Sequence, residues 1–142
     1  MKTIRQLLES KGRDIWSISP DATVYDAIKL MAEKGIGALM VIDNAGPVGI
    51  ISERDYARKI ILKGRSSRET KVRDIMTAHV IYADAGHSVE ECMALMTNKR
   101  IRHLPVLDEQ KLIAVISIGD LVKSIIAEQK FVIEQLESYI SG

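Results

Sequence analysis

Apolar residues recur at helical spacing at Val24, Ala27, Ile28 and Met31, and again at Val89, Cys92, Met93 and Met96. A hydroxyl residue precedes each run, with an acid three positions on: Thr23 with Asp26, and Ser88 with Glu91. That spacing predicts capping boxes, in which side chains satisfy the first free N–H groups of a helix. Short runs rich in branched residues follow at 39–42 and 104–107 and read as buried strands. Turns are expected at 44–47 and 109–111, then second strands at 48–51 and 113–116. Ser52 with Asp55, and Ser117 with Asp120, open a further helix with the same capping arithmetic. Each half therefore reads as a lead-in strand, a helix, two strands and a helix. The polar stretch 63–70 links them.

The two halves are copies. Shifted by 65 positions, the chain meets itself without a gap: Val24 on Val89, Met31 on Met96, Ile36 on Ile101, Leu39 on Leu104 and Asp43 on Asp108. The register still holds at Ile51/Ile116, Ser52/Ser117 and Asp55/Asp120. A repeat this long fixes the architecture before any single motif does. The last helix is expected from Ile118 to Tyr139, longer than its counterpart, with Leu121, Ile125, Phe131, Leu136 and Ile140 as an extended apolar face. Two uses of that face stay open: packing on its own domain or on the segment around Ile4, Leu7 and Leu8, and a contact between protomers.

Composition narrows the classes. With 46% hydrophobic and 27% charged residues in 142, the chain is globular and long enough to bury roughly 70% of its unfolded surface. A formal charge of +1, no run of like charges and 4% aromatics argue against a nucleic-acid binder. Cys92 is the one cysteine, so no intramolecular disulfide forms; its place on the apolar helix face makes it a core residue. No apolar run approaches the roughly 20 residues of a membrane span. Residues 1–16 are too charged for a signal peptide, so a cytoplasmic protein is expected. No Gly-rich phosphate loop, metal-ligand cluster or nucleophile–base pair appears, and His79 and His87 lack a second ligand at metal spacing. Neither an enzyme nor a metal site is expected.

The order of motifs resembles the cystathionine-β-synthase-type (CBS) pair family, the Bateman module, over roughly residues 1–128. The first copy carries the resemblance in Ile18-Ser-Pro-Asp-Ala-Thr-Val24, Gly35-Ile-Gly-Ala-Leu-Met-Val-Ile-Asp43 and Gly49-Ile-Ile-Ser-Glu-Arg-Asp55. The second carries it in Val72-Arg-Asp-Ile-Met-Thr77, Arg100-Ile-Arg-His-Leu-Pro-Val106 and Ala114-Val-Ile-Ser-Ile-Gly-Asp120. The resemblance implies an α+β fold of two βαββα motifs related by a pseudo-twofold axis. It divides the chain into motif 1 with its lead-in (1–64), a linker (65–71), motif 2 (72–128) and a C-terminal helical extension (129–142). It implies clefts that bind adenosine compounds (AMP, ADP, ATP, NAD or S-adenosylmethionine), and a homodimer forming a disc of four motifs.

For such a ligand Asp55 and Asp120 could accept from the two ribose hydroxyls, with Ser52 and Ser117 beside them; the same Ser-x-x-Asp pattern also serves merely to cap a helix. Arg54, Arg102 and His103 suit a phosphate, or are solvated charges and a locally bonded histidine. If each cleft joins the acid-bearing turn of one copy to the strand start of the other, one site uses Ser52, Arg54 and Asp55 with Thr77, Ile101, Arg102 and His103. The other then uses Val115, Ser117 and Asp120 with Trp16, Ile36, Gly37 and Ala38. The first is rich in positive charge, the second roomier, so unequal sites are expected. Trp16 either lines an adenine pocket or is an ordinary core or hairpin aromatic. Two function classes follow: a non-catalytic regulator that senses energy or redox state through an adenine nucleotide and acts on a separate target protein, or an interaction and oligomerisation module whose clefts are empty or structural.

Overall fold

The structure, a computed structural model, describes residues 2–141; Met1 and Gly142, the outermost residues of the first and last expected segments, lie outside the described residues. The chain folds as two compact units. One comprises Ile15–Ile81, and the other joins the segment ending at Asp14 to the segment beginning at Tyr82. The units thus differ from the segments expected along the sequence. Each copy's lead-in packs on the unit built around the other copy's strands. Thr3 bridges Ser88 and Lys71 bridges Thr23, both antiparallel, so the exchange itself obeys the repeat.

In the unit Ile15–Ile81, strand β1 (Ser17–Ile18) lies parallel to β2 (Ala38–Asp43), which pairs antiparallel with β3 (Gly46–Ser52). Helix α2 (Val24–Lys34) covers one face and ends on Gly35, whose φ of 65° provides the left-handed cap a side chain would resist. Its N-terminus departs from expectation: Thr23 Oγ1 accepts from the Asp26 N–H at 3.1 Å, but the reciprocal bond is missing. The Thr23 backbone faces Lys71 instead. Val24, Ala27, Met31, Leu39, Val41, Ile51 and Ile60 close the core with Val72 and Ile75 from the borrowed lead-in. A short 3₁₀ turn (Val72–Asp74) presents those last two residues. Burying such an aliphatic side chain contributes roughly 1.5–3 kcal/mol. After β3, helix α3 (Glu53–Tyr56) widens into a π-helical turn over Ala57–Ile61.

The second unit repeats the plan: β4 (Ala83–Asp84) parallel to β5 (His103–Asp108), and β5 antiparallel to β6 (Lys111–Ser117). Helix α4 (Val89–Lys99) carries the full capping box expected at Ser88 and Glu91. Helix α1 (Ile4–Lys11), the borrowed lead-in, brings Ile4, Leu7 and Leu8 into a core with Cys92, Met96, Leu104, Val106, Ile116 and Leu121. Both hairpins turn in two residues. Gly46 and Pro47 therefore lie in β3 rather than in the turn, and Lys111 begins β6. Helix α5 (Ile118–Ser141) stays regular throughout, and from Gln129 onward every described residue is exposed.

Candidate functional site

Each unit presents one corner where the second strand of the hairpin meets its helix, beside the start of the first strand. In the unit Ile15–Ile81, Ala38 pairs with Ser52, and the Glu53 N–H donates to the Gly37 carbonyl at 3.0 Å. In the other unit His103 pairs with Ser117, and the Ile118 N–H donates to the Arg102 carbonyl at 2.8 Å. These bonds occupy equivalent positions, so the repeat extends to the hydrogen bonds that shape the corners. Ile36 and Ile101 close the preceding helices in the same way, donating to Met31 and Met96 at 3.0 Å each.

Asp55 is nearly buried, with 8% of the residue exposed. The Ser52 N–H donates to its Oδ2 at 3.0 Å, and the Ser52 hydroxyl lies 3.2 Å from the same oxygen. On the other oxygen, the Thr77 hydroxyl donates at 3.4 Å and Lys59 Nζ stands at 3.2 Å. Lys59 also donates to the Ile75 carbonyl at 2.8 Å, tying the π-helical turn to the lead-in. Thr77 reaches this corner because its backbone bridges Ile50, with N–H···O distances of 2.8 and 3.0 Å. Gly49 makes that approach possible, since a Cβ there would stand 2.9 Å from the Thr77 carbonyl oxygen and 2.7 Å from Met76 Sδ. Arg54 is half-buried in the first turn of α3. Sequence reasoning missed Lys59; its spacing of four from Asp55 was the available signal.

Asp120 has the same local box: the Ser117 N–H donates to Oδ2 at 2.8 Å, and the Asp120 N–H donates to Ser117 Oγ at 3.2 Å. Here the neighbour from the borrowed lead-in is a cation, Lys11 Nζ, 3.7 Å from Oδ2. Arg102 is exposed, while Ile101, His103 and Val115 are half-buried along β5 and β6. Both carboxylates therefore stand at a helix N-terminus with a lysine in reach, and the capping role of Ser-x-x-Asp is real in both. Trp16 is not a core aromatic: it is 38% exposed, its carbonyl accepts from the Met40 N–H, and Lys34 Nζ lies 4.2 Å from its ring centroid.

The predicted sites thus divide between the units. Ser52, Arg54, Asp55 and Thr77 come together in one, which also holds Trp16, Ile36, Gly37 and Ala38; Ile101, Arg102, His103, Val115, Ser117 and Asp120 belong to the other. Among the described residues no three His, Cys, Asp or Glu side chains gather as metal ligands. No helix formed by those residues is long and apolar enough to cross a membrane. His87 turns inward to its own loop, where its Nδ1 accepts from the Asp84 N–H at 3.2 Å.

The family model described as the CBS domain matches residues 10–62 and again 72–127. The chain belongs to the CBS-domain family. It is 42% identical to the mitochondrial CBS domain-containing protein CBSX3 of Arabidopsis thaliana, over 99% of this chain and 72% of that protein. It is 30% identical to the CBS domain-containing protein YhcV of Bacillus subtilis, over 74% of each. Among solved structures, a putative signal-transduction protein with CBS domains from Burkholderia ambifaria is 58% identical and superposes with a TM-score of 0.86, covering 90% of this chain and 96% of that one. The CBS domain pair of protein MJ0100, solved with 5′-methylthioadenosine and S-adenosylmethionine, shares the fold at 21% identity and a TM-score of 0.78, covering 90% of this chain and 98% of that one. The CBS-domain matches indicate no catalytic family.

Proposed function

We propose that this CBS-pair protein is a non-catalytic regulatory module that binds an adenine nucleotide (AMP, ADP, ATP or NAD) and reports energy or redox state to a separate target protein. The observation that carries this reading is the doubled corner, a carboxylate held in one rotamer by its own Ser N–H at the first turn of a helix. A fixed carboxylate can accept from both hydroxyls of a ribose, and the helix N-terminus beside it favours an anion such as phosphate. The adenosine ligands named for the MJ0100 pair support the ligand class. Arg54, Arg102 and His103 are proposed to receive the phosphates, with the acid-bearing turn of one copy serving the strand start of the other. Trp16, a partly exposed residue, is proposed to stack on adenine. The module is proposed to act in the cytoplasm.

Nucleotide binding by the Asp55→Asn, Asp120→Asn double variant tests the assignment, because Asn keeps the size and one acceptor but removes the charge. Loss of binding by a variant that still melts cooperatively is the expected result, with the melting temperature lowered because an amide cannot accept on both sides as Asp55 does. Unchanged affinity would remove both carboxylates from the site. The second reading, an interaction module, is favoured by one observation: the exposed apolar face of α5.

A further inference from the structure

Helix α5 leaves its unit at Gln129 and continues for three further turns without cover. Yet this stretch is not polar. Val132, Ile133 and Leu136 are 50–57% exposed, and Tyr139 and Ile140 are 87% and 83% exposed. Together with Val122, Ile125 and Ile126 nearer the root, they follow a seven-residue repeat: Val122, Gln129 and Leu136 at its first position, Ile125, Val132 and Tyr139 at its fourth, and Ile126, Ile133 and Ile140 at its fifth. A helix segment of this length is marginal alone in water, and a stripe of this period is the pattern of a helix that pairs with another.

We propose that α5 pairs antiparallel with α5 of a second copy of this chain. Three features of the helix agree on that occupant, and the last of them sets the direction. Centred between Ile133 and Gln135, an antiparallel pair sets Val132 and Ile133 of one copy against Leu136 of the other, twice by symmetry. The flanking charges then match, because Lys130 of each copy lies beside Glu137 of the other on the same side of the pair. The third feature lies at the root of the helix. A groove of about 480 Å³ is lined by Glu90, Ile125, Glu128, Gln129, Val132 and Ile133. Within it Glu90 Oε2 is buried and lacks a hydrogen-bond partner among the described residues. A buried acceptor left unpaired costs stability. The same register delivers Tyr139 and Ile140 of the second copy to the level of Gln129. The groove receives the two most exposed apolar side chains of the helix, and the tyrosine hydroxyl becomes the donor Glu90 lacks.

The test is the mass of the full chain by sedimentation equilibrium across protein concentration. The parent is expected at twice 15.8 kDa, and Leu136→Asp at the monomer mass with unchanged helical signal and melting of the core. Lys130→Glu, which sets like charges together at both ends, is expected to weaken association about tenfold, and adding Glu137→Lys to restore it. Direction is read by disulfide trapping. Antiparallel helices rise 1.5 Å per residue in opposite senses, so positions 129 of the two copies stand about 15 Å apart. Gln129→Cys and Tyr139→Cys should each fail to cross-link alone and cross-link when mixed. A monomeric parent, a Leu136→Asp variant that stays dimeric, a charge swap that does not restore association, or self-linking of Gln129→Cys would each overturn the proposal.

Discussion

Replacing Gly49 by alanine probes the corner that holds Asp55. The backbone at Gly49 is not left-handed, so the methyl meets a packing obstacle rather than a conformational one. Its Cβ would lie 2.7 Å from Met76 Sδ, which can swing away, and 2.9 Å from the Thr77 carbonyl oxygen, which cannot. To reach ordinary contact that carbonyl must retreat by about half an ångström. The two Ile50–Thr77 backbone bonds, 2.8 and 3.0 Å long, would stretch with it, and the Thr77 hydroxyl, already 3.4 Å from Asp55, would leave hydrogen-bond range. Overpacking of this kind costs roughly 1–3 kcal/mol, and the stiffer unfolded chain returns about 0.4–1 kcal/mol. A net loss of about 1–2 kcal/mol lowers the melting temperature of a chain this size by roughly 3–6 °C. Thermal denaturation read by circular dichroism measures it. The equivalent position in the other unit is a fully buried alanine, Ala114, so the obstacle belongs to the Thr77 approach and not to the strand. A Gly49→Ala variant as stable as the parent, or more stable, would refute this account of how Thr77 is held.

The second hairpin turns through Glu109 and Gln110 at φ of 50° and 66°, a conformation that suits glycine. Gln110→Gly is therefore expected to stabilise by about 0.5–1 kcal/mol in urea denaturation. Cys92 is buried, and burial pushes its thiol up to about 11, with Glu91 adding to the shift. At pH 8 it should react with a disulfide reagent at least tenfold more slowly in the folded protein than after unfolding. The Ser88 N–H, with its hydroxyl adding to the effect, holds the Glu91 carboxyl below its ordinary value. A depressed carboxylate contributes stability above its unfolded value and loses it as pH falls through the folded one. The melting temperature of Glu91→Gln should therefore lie below the parent's at pH 6, with the gap closing below pH 4.

The fold was legible because the repeat and the local rules agree. Apolar spacing placed α2 and α4, because one buried face leaves a periodic trace, and continuous apolar runs rich in branched residues placed the first strands of the hairpins, because those are buried on both faces. What the sequence hid was packing at a distance. Nothing in residues 2–14 or 72–77 says that each lead-in joins the other copy's unit, since Ile4 and Val72 fill either core equally well by chemistry. The carboxylates were found from Ser-x-x-Asp standing at the same place in both copies together with the family resemblance, and the boxes at Ser52 and Ser117 formed as written. Lys59 was missed although its spacing of four from Asp55 was on view, because its second partner, the Ile75 carbonyl, comes from the distant lead-in. Gly37 and Ala38, expected as ligand contacts, are seen here as backbone neighbours of the Ser52 corner.

The central claim, an adenosine ligand held by its ribose, is tested most directly by calorimetric titration of the full chain with AMP, ATP, NAD and S-adenosylmethionine, each adenosine compound that binds being repeated as its 2′-deoxy form. The account predicts saturable binding of at least one of them, and a loss of at least tenfold in affinity when the ribose loses a hydroxyl. Absence of heat from all four, or equal affinity for the deoxy form, would contradict it.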